Sequence, residues 1–270
     1  MSEIATHVDP QLLESGSVRL DITDGILTVT LDRPEARNAQ TPATWRALAS
    51  VGAAVQAHPE GIDAVVVTGA GPSFSAGLDR RMFTSEGIPG EASLMSMAAL
   101  DDAGVDDMIR RIQQGFTWLR EVEPLSIAAV SGHAIGAGFQ LALACDIVLA
   151  APDARFAMRE TSYGLVPDLA GTAPLVRAVG YGRALDICAS GRELSADEGY
   201  DLGFVTRIAP DLDDAVATFM AALRSAPPGA VRDLTALLRG AEERTAAEQR
   251  AAERAAQAGR LRSLRALLGG

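Results

Sequence analysis

A chain of 270 residues that is 48% hydrophobic can bury a large core, as one domain or as one domain with an appendage. Its 24 basic and 35 acidic residues leave a formal charge of −11, which argues against a nucleic-acid surface. Every basic residue is an arginine, so Schiff-base chemistry through lysine and the P-loop lysine are both excluded.

Residues 1–17 carry no apolar period and read as a mobile arm. They lack a basic n-region and an apolar h-region, so no signal peptide is expected. Residues 18–22 and 26–31 alternate as strands around a Thr23-Asp24-Gly25 hairpin turn. Arg33-Pro34 ends the second strand, and a loop runs to Pro42. Trp45, Leu48, Val51 and Val55 then mark a helical stripe. AVVVT, residues 64–68, is a strand buried on both faces, followed by the turn-rich GAGPSFSAG. Residues 84–104 mix early Gly and Pro with late acids, the composition of a flexible lid. Ile109, Ile112, Phe116 and Leu119 predict an amphipathic helix.

The stretch 126–146, SIAAVSGHAIGAGFQLALACD, organises the centre of the chain. An apolar strand leads into a turn built on Gly132, Gly136 and Gly138, and a short apolar helix follows. Unpaired N–H groups at such a helix start can hold a phosphate or stabilise an oxyanion. Strands are expected again at 146–150 and 156–158. Strands and helices alternate through the first 160 residues, which predicts an α/β sheet with crossover connections.

The last hundred residues change character. A helix is expected over 175–189, a capping box at Ser195 and Glu198, and a further helix over 211–224, with Pro227-Pro228 as a break. Residues 241–268 are Ala-, Glu- and Arg-rich and predict one long helix. A tail of this kind has little core of its own, so it should pack on the sheet domain or on another subunit. Three regions are expected: the arm 1–17, a core 18–208 and a helical region 209–270.

Two glycine turns invite a chemical reading. Phe74-Ser75-Ala76-Gly77-Leu78-Asp79 follows AVVVT much as GHAIGAG follows SIAAV. Parallel strands that end in such turns can converge at one sheet edge, where two N–H groups can face a single point. Either turn alone is equally an ordinary strand-to-helix connection.

Other motifs fit less well. Leu141 stands where a dinucleotide fingerprint needs its third glycine. The Gly71, Ser73, Ser75 pattern is not a nucleophile elbow, and His133 packs beside its own turn. No clustered His, Cys or acids point to a metal. Cys145 and Cys188 read as buried thiols. No apolar run reaches transmembrane length, so a cytoplasmic protein without a membrane partner is expected.

Five pieces, in order, resemble the crotonase (enoyl-CoA hydratase/isomerase) superfamily. They are LDRPEARNA (31–39), GAGPSFSAGLD (69–79), AAVSGHAIGAGFQLALACDIVLAAPDARFAMRE (128–160), GLVPDLAGT (164–172) and GRELSADEGYDLGFVTRI (191–208). The resemblance covers roughly residues 18–265. It implies a ββα spiral core, a helical C-terminal trimerisation region and acyl-CoA thioester substrates. It also implies a thioester enolate held by two backbone N–H groups, with coenzyme A as part of the substrate and no separate cofactor.

Residue by residue, those donors fall on Leu78 and on Ala137, which replaces the family's usual glycine. Ala36, Arg37, Ala39 and Ala76 align with the coenzyme-A contact region. Arg37, Arg80 and Arg81 are the cations that could meet its phosphates, or equally plain surface charge. Where hydratases of the family carry two glutamates, this chain has Gln140 and Glu160. Gln140 can hydrogen-bond a water but cannot exchange a proton with it, whereas one carboxylate suffices to move a proton between C2 and C4. The resemblance therefore implies an isomerase first. A hydratase with an atypical second acid/base and a non-catalytic acyl-CoA binder are the alternatives. Asp168 lies near a stretch where related isomerases place a further acid, though not on the same position; it assists, or it caps the next helix. The implied assembly is a homotrimer or a dimer of trimers.

Overall fold

The structure, a computed structural model, describes residues 7–84, 86–227 and 229–267. The arm expected up to residue 17 is not one over its second half. Helix α1 (Pro10–Gly16) starts on the Asp9 side chain, which accepts from the Gln11 N–H, with Pro10 in the first turn. Its last residue lies so close to the next helix that a Cβ on Gly16 would come within 2.6 Å of the Ala47 Cβ. Val8 is 1% exposed. Single apolar contacts at Val8 and Gly16 anchor this segment, too few to register as a period.

Strands β1 (Val18–Thr23) and β2 (Ile26–Leu31) form an antiparallel hairpin. Asp24 and Gly25 both take positive φ, as a tight hairpin turn requires. Helix α2 (Pro42–Ala57) opens with a Thr41/Thr44 capping box and leads to β3 (Ala64–Gly69). After the short α3 (Leu94–Ala98) comes the long α4 (Asp102–Glu121), then β4 (Leu125–Val130), β5 (His133–Ile135) and α5 (Ala137–Ala144). β6 (Ile147–Ala150) and β7 (Arg155–Ala157) follow. The single helix expected over 175–189 is two, α6 (Thr172–Val179) and α7 (Tyr181–Ser190), broken at Gly180, whose φ of 78° and ψ of 158° no helix tolerates. The short β8 (Leu194–Ser195), α8 (Ala196–Leu202) and β9 (Arg207–Ile208) complete the core. At α8 the Ser195 side chain accepts from the Glu198 N–H; the cap is this one bond.

Among the described residues a six-stranded sheet runs in the order β1-β2-β3-β4-β6-β9, parallel after the first pair, and a three-stranded sheet runs β5-β7-β8. The chain steps repeatedly from the large sheet to the small one. β4 passes to β5 and β6 to β7, while β3 passes to Ser75, which bridges Ala134. That stepping is the ββα spiral. Its interior needs uninterrupted apolar runs, and Val65, Val67, Ala128 and Val130 are all fully buried. Phe139, Phe156 and Phe204 stack mutually at ring-centroid distances of 5.1 to 5.3 Å, fixing α5 against the small sheet.

The chain divides into two compact units between Ala215 and Val216, seven residues later than the boundary expected from sequence and inside α9 (Leu212–Arg224). In the second unit α10 (Ala230–Gly240) and α11 (Ala246–Leu267) pack on each other. The single helix expected from 241 is interrupted. Thr245 and Glu248 form a capping box that starts α11 at Ala246, while residue 268 lies outside the described residues. Pro228, half of the expected break, also lies outside them. No helix among the described residues is long and apolar enough to cross a membrane.

Candidate active site

The two glycine turns are pressed together. Ser75 donates its N–H to the His133 carbonyl at 2.8 Å, and the Ile135 N–H donates to the Ser75 carbonyl at 2.9 Å. Gly77 has φ +84°, and a Cβ there would lie 2.4 Å from the Ile135 oxygen and 3.5 Å from the Ala137 nitrogen. A Cβ on Gly138 would sit 2.4 Å from the Ser75 oxygen. Only glycine lets these backbones approach so closely.

This approach joins the turns that carry two N–H groups without a backbone acceptor among the described residues. Ala137 is the first residue of α5, so its N–H has no acceptor within the helix; the first bond within the helix is made by the Gln140 N–H to Gly136. Around Leu78 the Gln40 N–H donates to Gly77 and the Asp79 N–H donates to Gln40, and Leu78 itself donates to no backbone carbonyl. Both residues line a cavity of about 1160 Å³. Two preset donors of this kind can stabilise charge developing on one oxygen.

A buried polar network holds the first turn. The Trp45 indole N–H donates to Gln40 Oε1 at 2.9 Å, Gln40 Nε2 donates to Ser75 Oγ at 3.1 Å, and Ser75 Oγ donates to the Asn38 carbonyl at 2.8 Å. The Gly77 N–H donates to Ser75 Oγ at 3.2 Å. Arg33 Nη2 meets Asp79 Oδ2 at 2.6 Å and donates to the Ala39 carbonyl, tying the loop 33–40 to the residue after Leu78. The Arg81 guanidinium, with Arg33 behind it, holds the Asp79 carboxyl well below the usual range although burial opposes this. Asn38, Ser75 and Asp79 lie within 31–39 and 69–79 and Gln40 directly after the first of these stretches, yet nothing in their spacing marked them as a network.

The carboxyl groups occupy the second turn's side. Glu160 opens a short 3-10 turn, and its Oε1 lies 3.3 Å from where a Cβ on Gly136 would be. Gln140, fully buried, donates from Nε2 to Glu160 Oε1 at 2.7 Å. Glu160 Oε2 is buried and has no hydrogen-bond partner among the described residues. Burial pushes the Glu160 carboxyl above its ordinary value, and the Asp168 charge adds to this; the Gln140 bond acts in the opposite sense. Asp168, also on the cavity wall, is likewise raised by burial. Gln113 Nε2 donates to the Asp168 carbonyl at 2.6 Å, fastening α4 to this turn.

The remaining predicted residues are brought together as well. Ala36, Arg37, Ala39 and Ala76 all line the same cavity, and the Ala76 N–H donates to the Arg37 carbonyl at 2.8 Å. Arg37 and Arg80 line it without an ion pair among the described residues, as does Arg159, which the sequence reading passed over. Arg81 differs: it pairs with Asp79 at 2.8 Å and is absent from the wall. His133 reaches Ser73 Oγ at 3.4 Å. Cys145 is a core thiol pushed far up by burial, while Cys188 is raised by burial and by the Glu160 charge. Among the described residues no cluster of His, Cys, Asp and Glu could hold a metal ion.

A two-sheet spiral with paired backbone donors at adjoining turns defines the crotonase class of folds. The family model for enoyl-CoA hydratase/isomerase matches residues 21–262. A probable enoyl-CoA hydratase from Mycobacterium tuberculosis is 32% identical over 184 residues, 67% of this chain and 64% of the relative. The mitochondrial Delta(3,5)-Delta(2,4)-dienoyl-CoA isomerase of Rattus norvegicus is 34% identical over 212 residues, 77% of this chain and 63% of that one. The chain thus spans a little under two thirds of the length of these two relatives. Among solved structures, a Thermobifida fusca YX protein assigned as an enoyl-CoA hydratase, crystallised with acetoacetyl-CoA, superposes with a TM-score of 0.88 at 40% identity. That match covers 95% of this chain and 99% of the other. The chain belongs to the enoyl-CoA hydratase/isomerase family of the crotonase superfamily.

Proposed function

We propose that the protein is an acyl-CoA enzyme that shifts the double bond of an enoyl-CoA through a thioester enolate. The observation that carries this reading is Glu160 Oε2, a buried carboxylate oxygen without a partner, beside the Ala137 turn and opposite a neutral amide. Glu160 removes the proton at C2 of a 3-enoyl thioester. The negative charge moves onto the thioester oxygen, where the Leu78 and Ala137 N–H groups hold it. The same carboxyl returns its proton at C4, leaving the double bond between C2 and C3 with atoms and charge conserved. One donor of such a pair is worth roughly 10²–10³ in turnover. The thioester enters by the Ala36, Arg37, Ala39 and Ala76 wall, where Arg37 and Arg80 meet the phosphates. The Thermobifida relative's complex with acetoacetyl-CoA supports this choice of substrate class.

Asp168 favours a second reading. Moving a 3,5-diene to the 2,4 position takes a proton from C2 and delivers one at C6, too far apart for a single carboxyl. Glu160 and Asp168 on one cavity wall would divide the two transfers, and the rat relative's name supports that class. Hydration of a 2-enoyl-CoA with Asp168 as the second acid/base, or acyl-CoA binding without turnover, are the remaining alternatives. Incubation of purified protein with 2-enoyl-, 3-enoyl- and 3,5-dienoyl-CoA, following hydration and isomerisation separately, tests all four. Hydration of 2-enoyl-CoA as the dominant reaction would overturn the isomerase reading.

We also infer a homotrimer or a dimer of trimers. Leu234 and Leu238 of α10, and Leu261 and Leu264 of α11, are exposed in the protomer, which supports burial between subunits.

A further inference from the structure

Gln140 stands where a second proton carrier would be expected, yet its amide is fully committed to the protein. Its Oε1 accepts from the Leu169 N–H at 2.9 Å and from the Gly171 N–H at 3.4 Å. Backbone N–H groups can only donate, so the amide oxygen must face them and the NH₂ must face Glu160. The turn being held is strained: Ala170, between the two donors, has φ +63° without being glycine. Gly171 admits the Gln140 stem, since a Cβ there would lie 2.6 Å from Gln140 Cγ. The same turn presents Asp168 and Leu169 to the cavity.

We propose that Gln140 is a positioning residue for both cavity carboxyls. Its oxygen pins the strained 168–171 turn, and its NH₂ holds Glu160 Oε1, leaving Oε2 as the one oxygen free to carry protons. A glutamate at this position could still accept from Leu169 and Gly171. It would, however, set a second carboxylate within hydrogen-bonding distance of Glu160, and two such groups cannot both ionise readily. The amide therefore supplies the same pin without the repulsion. The kinetic consequence rests on Glu160 being the proton carrier; the two structural consequences do not.

Gln140→Leu and Gln140→Glu separate the two functions. Glu160 is followed by carbon-13 NMR of carboxyl-labelled glutamate, its resonance being the one missing in Glu160→Gln, and the turn by hydrogen exchange across residues 168–171. Asp168 and Cys188 interact electrostatically with Glu160, and Arg159, His133, Glu193 and Tyr163 share its wall; all are retained in both variants. Gln140→Leu should move the Glu160 titration to higher pH, because a bond to the ionised form is lost. It should speed exchange of the turn at least tenfold and lower kcat with KM within about twofold. Gln140→Glu should keep the turn protected yet move the Glu160 titration upward, a split that a purely structural role would not produce. Unchanged Glu160 titration in both variants, or unchanged exchange in Gln140→Leu, overturns the proposal. If Gln140→Leu does not fold, an unmoved titration in Gln140→Glu overturns it alone. Absence of enoyl-CoA turnover would strike the proposed activity and leave both spectroscopic outcomes standing.

Discussion

Gly77 lies in a turn and Ile135 ends β5, 58 residues later, yet a Cβ on Gly77 would come within 2.4 Å of the Ile135 carbonyl oxygen. The same Cβ would lie 3.5 Å from the Ala137 nitrogen, so the turn that carries Leu78 abuts the start of α5. Gly77→Ala meets two penalties: about 1–2 kcal/mol for a left-handed alanine and about 1–3 kcal/mol for forced overlap. The substitution should lower the denaturation midpoint accordingly, and it should reduce turnover by at least 10² because the donors separate. Wild-type stability with wild-type turnover would contradict the close-packed turn.

Glu160→Gln tests the proton carrier. General acid–base catalysis by a positioned side chain contributes roughly 10²–10⁴, so turnover should fall by that much. Calorimetric affinity for a saturated acyl-CoA should change by less than about threefold, since the lost step acts in the transition state.

The raised Glu160 carboxyl also sets a pH dependence. Turnover requires the ionised form, so its acid limb should lie above the ordinary glutamate value of 4.5 and disappear in Glu160→Gln. For stability the sign is opposite. A group favoured in its protonated form by folding stabilises below its unfolded pKa, and that contribution is lost as pH rises through the folded one. Thermal melts of wild type minus Glu160→Gln, scanned upward from pH 4.5, should therefore show the wild type losing ground.

Asp79 behaves in the reverse manner. Its depressed carboxyl contributes stability above the unfolded value of 3.8, lost as pH falls through the folded one. Asp79→Asn leaves the half-buried Arg33 short of its acceptor and should cost roughly 1–3 kcal/mol near neutrality. The deficit should shrink in acid, as urea midpoints at pH 7 and pH 3 would register. An equal deficit at both would mean that the charge is irrelevant.

Assembly gives a further test. Sedimentation of the intact chain should yield a trimer or hexamer, and removal of residues 242–270 should lower that state. A monomer at micromolar concentration, or an unchanged assembly after truncation, would contradict the inferred role of the second unit.

The chain's own pattern determined a good deal. The apolar runs that became β3 and β4 suit strands buried on both faces, and glycines at 77, 136 and 138 suit sharp turns or close approaches. The Gln140/Glu160 asymmetry was equally visible, because it is a matter of residue type. Local order decided these features, and local order is written in adjacent residues.

Tertiary contacts decided the rest. Gln40 and Ser75 are 35 residues apart, and Gln140 and Leu169 are 29 apart, so no window of sequence contains either bond. Residues 10–16 of the expected arm form a helix, with Gly16 packed against Ala47 and Val8 buried just before it. Most of all, the proton affinity of Glu160 comes from what surrounds it. Burial raises it and the Gln140 amide, twenty residues away, opposes that rise.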